Sequence, residues 1–513
     1  MKAEGDRPSG TLLGVSDPAR AALALVLLST GLHVLYAGWV GLTPQEAYYW
    51  QWSRHLDLSY FDHPPLAAWT IRAMTEAFGT SVRSIRLAAA LHSGLFALFL
   101  FLAGRRLFGG RTALLALAAM LATPLFGLGQ TVITPDGPLL AGWAAAFAFT
   151  VRALDEERGP WLLAAGAAAG LACLGKYPGF LLFPLTLAAL LVDPRGRRLL
   201  RTPWPWLGVL LSAALFAPVV LWNAGHGWAS FGFQTRGRAS QVAGFHPSLT
   251  GRFLGLQALA ASPVLFAAML LASAGAVRRW REPAFRLCAL FSAPFLLLLL
   301  AVSPFHWVKM NWGAPAYPAA LLAAAAFWRE RPGRWRGLGA AALSVALLGS
   351  AYMHLVPLWP ALPFPARDET TSGWTELAAR VEAERLPLGG DPFVVGCDYK
   401  TASELAFHLP GRPETQSAGA FGEPGLQYDS WLDRVPLAGR EGLVVYDPRS
   451  PSRCREQARE VCRPFDALEP LTVRRGRAVI TTFEIFRCRY PASLLGRGAR
   501  DDRGALALPG PPP

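Results

Sequence analysis

Glu46 heads the run Glu46-Ala47-Tyr48-Tyr49-Trp50-Gln51-Trp52, where one carboxylate is followed by four aromatic rings. Rings at that density suit a membrane–water interface, with one end of each residue apolar and the other wet. Glu46 then lies at the depth of lipid phosphates, either to do chemistry on a substrate flanked by Tyr48 and Tyr49 or only to favour the amino terminus of an interfacial helix. A second cluster, Tyr60-Phe61-Asp62-His63-Pro64-Pro65, uses two prolines to force a turn before the amphipathic stretch 66–78. Asp62 beside His63 either holds a phosphate ligand or caps the next helix. Asp136, in Ile133-Thr134-Pro135-Asp136-Gly137-Pro138, is an isolated acid entering an apolar run, again a cap or a functional group.

The cations are as few. Lys176 stands between two short apolar runs, a costly place unless it snorkels or meets an anion. Trp222-Asn223-Ala224-Gly225-His226-Gly227-Trp228, continuing to Phe231, Phe233, Gln234 and Arg236, mixes ring surfaces with amides and a cation, which suits a sugar or a lipid phosphate. Arg238, Lys309 and His306 complete the set.

The elements that must position these residues are apolar. Hydrophobic residues make up 52% of the 513 positions and charged ones 16%, against about 25% charged in a soluble protein. That excludes a disordered chain and argues against a cytosolic enzyme. The net charge of +14 is spread rather than gathered into one face or tail, so no nucleic-acid partner is expected. Residues 1–365 hold 14 acids and the remaining 148 residues hold 21, which divides the chain into a membrane part and a part of soluble composition.

Eleven apolar runs predict eleven transmembrane helices, at 20–41, 84–104, 112–128, 137–153, 160–175, 177–192, 204–223, 254–276, 284–302, 312–328 and 336–357, since a bilayer core of about 30 Å needs about 20 such residues. Alternate loops carry 17 arginines, from Arg105 to Arg336, while the intervening short loops carry only Lys176 and Lys309. Basic loops stay in the cytoplasm, so Glu46, Asp57, Asp62, Glu76 and Asp136 are the only acids of this part placed outside. The first run lacks a small-residue cleavage site and is expected to be retained.

The expected division is a cytoplasmic terminus 1–19, a membrane domain 20–358 with its first external loop at 42–83, a periplasmic α/β domain 359–496 and a disordered tail 497–513. Within the α/β domain, helices are expected near 373–385, 402–409 and 452–461, and strands near 393–397, 442–446, 471–474 and 478–485, in a partly parallel sheet. Cys397, Cys454, Cys462 and Cys488 fall there, where an oxidising compartment permits disulfides. Cys454 and Cys462 are the expected local pair, although four cysteines allow three connectivities or four free thiols. No cysteine or histidine spacing suggests a metal site.

Together the segments Gln45–Trp50, Tyr60–Pro65, Thr134–Pro138, Gly175-Lys176-Tyr177, Trp222–Trp228 and Asn311-Trp312 resemble the bacterial branch of the protein O-mannosyltransferase superfamily, which contains the aminoarabinose transferases of lipid A. The resemblance runs in order over residues 20–330. It implies a GT-C glycosyltransferase, an all-α membrane fold with its active site on the external face and its sugar donor carried on polyprenyl phosphate. The family usually places an Asp-Glu pair in the first external loop as base or acceptor guide. Here Gln45 stands first, so Glu46 inherits the role and Asp136 is the second acid. Asp62 and His63 match residues bordering the lipid phosphate, with a charge at His63 that depends on pH. Lys176, Lys309 and Arg236 are the expected cations near the donor phosphate, and Tyr48, Tyr49, Trp222, Asn223, His226 and Gln234 the expected substrate contacts.

The chemistry fits. A polyprenyl phosphate leaves readily, so transfer needs positioning, one base and cations for the departing charge, and is expected to invert the anomeric centre. No cofactor or divalent metal is required. The expected partners are membrane lipids, the lipid-linked sugar and a lipid, glycan or protein acceptor at the outer face of the bacterial inner membrane. Neither sugar nor acceptor is selected by any residue. A transporter or flippase of an anionic polyprenyl lipid is the alternative, but the runs lack the mid-membrane acids and the inverted repeat that ion-coupled carriers use. An interaction scaffold with an external α/β sensor would not account for the placement of acids and cations.

Overall fold

The computed structural model describes residues 17–237, 244–331, 333–432 and 437–492. The expected tail 497–513 and most of the expected cytoplasmic terminus 1–19 lie outside the described residues. The described residues form two compact units, one within 17–38, 63–221 and 232–355, the other within 39–62, 222–231 and 356–492.

Among the described residues the first unit is all helical, and the eleven apolar runs are largely helix, with 20–41 leaving the helix after Tyr36 and 112–128 split at Thr123 before Pro124. Among the described residues, six helices are long and apolar enough to cross a membrane: Pro18–Tyr36, Val82–Phe108, Asp136–Glu156, Trp204–Gly225, Pro283–Val302 and Gly337–Leu355. Two bent pairs raise this to as many as eight, and Gly110–Ala122 and Pro160–Gly175 are shorter apolar helices. The run 254–276 is not one straight helix as expected. Pro247–Ala261 and Pro263–Arg278 meet at 107°, because Pro263 has no N–H to continue the ladder and Ser262 turns to φ 71°. Apolar runs thus report burial in lipid or protein, and prolines decide where a helix breaks.

Small residues let these helices touch by their backbones. A methyl group on Gly142 would come within 2.7 Å of Ala168 O and Ala172 N, and one on Gly166 would strike Gly208. On the arginine-rich side, Arg106 pairs with Asp155 and Glu156, and Arg286 with Asp193, so those loops share a side as the charge pattern requires.

The second unit contains a five-stranded sheet. Strands β1 (Phe393–Gly396) and β2 (Glu441–Tyr446) are parallel, and β3 (Phe465–Ala467), β4 (Leu471–Arg475) and β5 (Ala478–Arg489) add antiparallel pairings in the order β1-β2-β5-β3, with β4 also on β5. Alternation along the strands feeds two cores. Val394, Leu443 and Val445 pack with Trp374, Leu377 and Val381 of helix Trp374–Arg385, while Val395 and Val444 pack with Ala458 of helix Cys454–Val461. Both faces being covered, β1 is buried at all four positions. β3 is the strand that pattern reading omitted, for its three residues carry no alternation.

The disulfides are Cys397–Cys454 and Cys462–Cys488, with Cα separations of 5.4 and 5.2 Å. The expected Cys454–Cys462 bond is not formed. These two cysteines bracket helix Cys454–Val461, where eight residues of helical rise set them about 12 Å apart, beyond the reach of a disulfide.

Candidate active site

In the first unit the site begins with a close backbone approach. Gly175 ends helix Pro160–Gly175, and a methyl group there would come within 2.6 Å of Leu139 N at the start of helix Asp136–Glu156. Only glycine allows this contact, and it delivers the next residue, Lys176, to Asp136. Lys176 Nζ donates to Asp136 Oδ1 at 2.9 Å and to Oδ2 at 3.0 Å. Asn311 Nδ2 donates to Oδ2 at 2.6 Å, and the Thr134 hydroxyl reaches the same oxygen at 3.5 Å. Asp136 is therefore a holder of cations and amides, with both oxygens occupied by donors.

This pair lines a cavity of about 680 Å³. His63, Gln234, Thr235 and His306 add polar groups, and Leu298, Leu299 and Val302 from helix Pro283–Val302 supply an apolar wall. A compact anionic head beside Lys176 and a hydrocarbon tail along the wall match that division of surface. Of the residues expected to bind donor, the structure brings His63 and Lys176 together here, with Gln234, an expected substrate contact, beside them. Lys309 is exposed, preceding the 3-10 helix Met310–Ala316, and is not among the cavity-lining residues. The backbone of Arg236 lies in the short π-helix Phe233–Gly237, while its side chain, like all of Arg238, lies outside the described residues.

Asn311 is the residue that reading the sequence passed over, quoted within a motif but given no role. Its signal was an amide close after Lys309 in a nearly uncharged segment.

The second unit holds the other expected residues. Helix Pro44–Arg54 starts with a capping box: Thr43 accepts from Glu46 N, and Glu46 Oε2 accepts from Thr43 N at 2.9 Å. Glu46 is fully buried. The aromatic run, expected as an interfacial belt, is buried against the carboxyl-terminal domain. Tyr48 meets Tyr399 at 4.6 Å between ring centres, and Trp50 meets Phe407 at 5.1 Å. Tyr49 is buried beside Trp52.

The Tyr48 hydroxyl donates to Asp62 Oδ2 at 2.6 Å and accepts from Gln427 N at 3.0 Å. Burial, with the Asp62 charge adding to it, pushes the Tyr48 phenol well above the usual tyrosine range, so it stays a donor. Trp222 Nε1 donates to Asp57 Oδ2 at 2.8 Å, and His226 stacks on Trp222 with ring centres 4.0 Å apart. Asn223 is buried, its Oδ1 accepting from Phe231 N at 3.2 Å. Trp222 and Asn223 thus fix the 222–231 segment, and His226 is the exposed member of the three.

No group of three or more histidine, cysteine or acidic side chains among the described residues has metal-binding geometry.

Residues 62–222 match the model of the dolichyl-phosphate-mannose-protein mannosyltransferase family. The lipid A galacturonosyltransferase RgtD of Rhizobium johnstonii is 31% identical over 288 residues, covering 54% of this chain and 59% of that protein. An undecaprenyl phosphate-α-4-amino-4-deoxy-L-arabinose arabinosyl transferase of Pseudomonas savastanoi is 28% identical over 221 residues, 39% of this chain and 40% of that protein. The chain therefore matches less than two thirds of either relative's length. The crystal structure of ArnT from Cupriavidus metallidurans in the apo state aligns with a TM-score of 0.63 at 18% identity, covering 94% of this chain and 100% of that one. Its form bound to undecaprenyl phosphate gives 0.61 at 17% identity, over 91% and 97%. By its matched segment the chain is similar to the dolichyl-phosphate-mannose-protein mannosyltransferase family over residues 62–222, and its fold is that of the ArnT structures.

Proposed function

We propose that this protein is a membrane glycosyltransferase that moves a sugar from a polyprenyl-phosphate donor to a lipid of the cell envelope, at the outer face of the inner membrane. The observation that carries the reading is the cavity in which Lys176, paired with Asp136, adjoins the apolar wall of Leu298, Leu299 and Val302. The named activities of the relatives support it, two being transferases of a lipid A or undecaprenyl-phosphate sugar.

In this reading an acceptor hydroxyl oxygen attacks the anomeric carbon and the bond from that carbon to the phosphate oxygen breaks. The electron pair leaves with the polyprenyl phosphate, and the anomeric centre inverts. Lys176 stabilises the charge that grows on the departing phosphate, and it is worth more in a site shielded from water. Asp136 holds that ammonium in place, and the Asn311 amide, donating to Asp136 Oδ2, orients the carboxylate. The acceptor proton passes to a carboxylate base, a role for which the family resemblance offers Glu46 or Asp136. The carboxyl-terminal α/β domain is external, consistent with its two disulfides.

The test is lipid mass spectrometry on cells with the native protein, without it, or with Lys176→Met. Accumulation of a polyprenyl-phosphate sugar and loss of that sugar from lipid A, in both the null and the variant strain, is the expected result, and the mass names the sugar. A null strain with intact glycosylation and an altered distribution of lipid across the membrane would replace a transferase with a transporter.

A further inference from the structure

The β4–β5 hairpin turns through Arg475-Gly476-Arg477, so that Arg474, Arg475 and Arg477 fall within four positions. They do not reflect a basic domain, since residues 366–513 hold 20 basic and 21 acidic residues. Arg475 is a pin. Its Nη2 donates to Val356 O at 2.6 Å and Trp359 O at 3.1 Å, its side chain is buried, and its Nε lies 3.9 Å from Glu369.

Arg474 and Arg477 differ from it. Both are exposed, and neither side chain makes a hydrogen bond or ion pair among the described residues. Near them the chain exposes Leu358, Trp359 and Val479, at 39%, 59% and 44%. Large exposed apolar groups beside uncompensated arginines are costly in water and favourable at a lipid headgroup layer, which offers ring sites and phosphates together.

The chain itself sets the depth. The last candidate span, Gly337–Leu355, ends four residues before Trp359, a reach of at most about 14 Å for an extended chain. Arg475, bonded to the carbonyls of Val356 and Trp359, ties the turn to that short segment.

We infer that the β4–β5 turn, with Leu358 and Trp359, is a docking surface for anionic phospholipid headgroups of the membrane that the chain spans. Arg474 and Arg477 engage lipid phosphates, and Trp359 enters the interface. This surface is independent of the transfer chemistry proposed above.

The full chain is placed in nanodiscs of phosphatidylcholine, with or without phosphatidylglycerol, and amide hydrogen exchange is followed over residues 471–483. Phosphatidylglycerol should slow exchange of the native hairpin by about tenfold, as expected for two arginines near an anionic surface. Arg474→Gln with Arg477→Gln should abolish the slowing, and Arg474→Lys with Arg477→Lys should keep it. Unchanged exchange in β2 shows that each variant is folded. Equal exchange of the native hairpin in both discs, or slowing that survives the Gln pair, overturns the inference. So does inorganic phosphate reproducing the slowing in phosphatidylcholine discs, which would make the turn a site for free anions.

Discussion

The Lys176 ammonium lies within 3.0 Å of both carboxylate oxygens of Asp136, and the two side chains are only 9% and 14% exposed. Removing one partner leaves the other charge buried and unpaired, so Asp136→Asn and Lys176→Met should each destabilise the protein by about 3 kcal/mol. The double variant should recover most of that stability in thermal unfolding, while transfer stays about a hundredfold or more below native. A double variant that regained transfer would reduce the pair to packing.

Glu46 has two separable duties. A glutamine still accepts from Thr43 N in the capping box, so Glu46→Gln should cost less than about 1 kcal/mol. The same variant cannot take a proton, and transfer should fall by about 10² to 10⁴. Native turnover in a folded Glu46→Gln protein would leave Glu46 a helix cap and nothing more.

Glu414 makes the second unit sensitive to acid. Burial alone would raise its carboxyl, but the His55 hydrogen bond and the Arg54 charge outweigh this and hold it below the usual range. A lowered folded value means stability that is full above the unfolded carboxyl value, about 4.3, and lost as pH falls through the folded one. The site is half exposed, so Glu414→Gln should cost less than about 1 kcal/mol at neutral pH. Denaturant melts across a pH series should show the two proteins converging as pH falls below the unfolded carboxyl value and through the lowered folded one. A gap that persists there contradicts the ion pair's role.

Peptide mapping without reductant should recover Cys397 linked to Cys454 and Cys462 linked to Cys488, with only Cys173 and Cys288 open to alkylation after denaturation. Replacing Cys462 and Cys488 by serine should destabilise the chain by about 3 kcal/mol, mostly through the freedom returned to the unfolded state. A Cys454–Cys462 linked peptide would contradict the fold around helix Cys454–Val461.

Much of this architecture was legible in the residues. The apolar runs are largely helix, and short apolar stretches located β1 and β2, because a strand covered on both faces reads as a continuous apolar run. Lys176 was found by its cost, an isolated cation between apolar runs. Its second support, Asn311, lies 175 positions from Asp136, and pattern reading has no access to such a pairing. The rings after Glu46 read alike for a lipid interface and for a protein core, since both reward the same apolar surface. Only the packing partners Tyr399 and Phe407 distinguish them. The break at Ser262 was marked by Pro263, but total hydrophobicity outweighed that single residue in reading the run as one helix.

Helix Pro44–Arg54 has folding partners more than three hundred positions later in the chain. The Tyr48 hydroxyl receives its bond from Gln427 N across 379 positions, which at about 5 to 20 residues per second of synthesis is a wait of about 20 to 75 seconds. During that interval Trp50 and Tyr48 lack the Phe407 and Tyr399 rings they pack against. A growing chain must shelter them, in lipid or on a chaperone, until the α/β domain emerges. Truncation before that domain would strand this aromatic helix permanently, so a shortened protein that fails to accumulate says nothing by itself about acceptor choice.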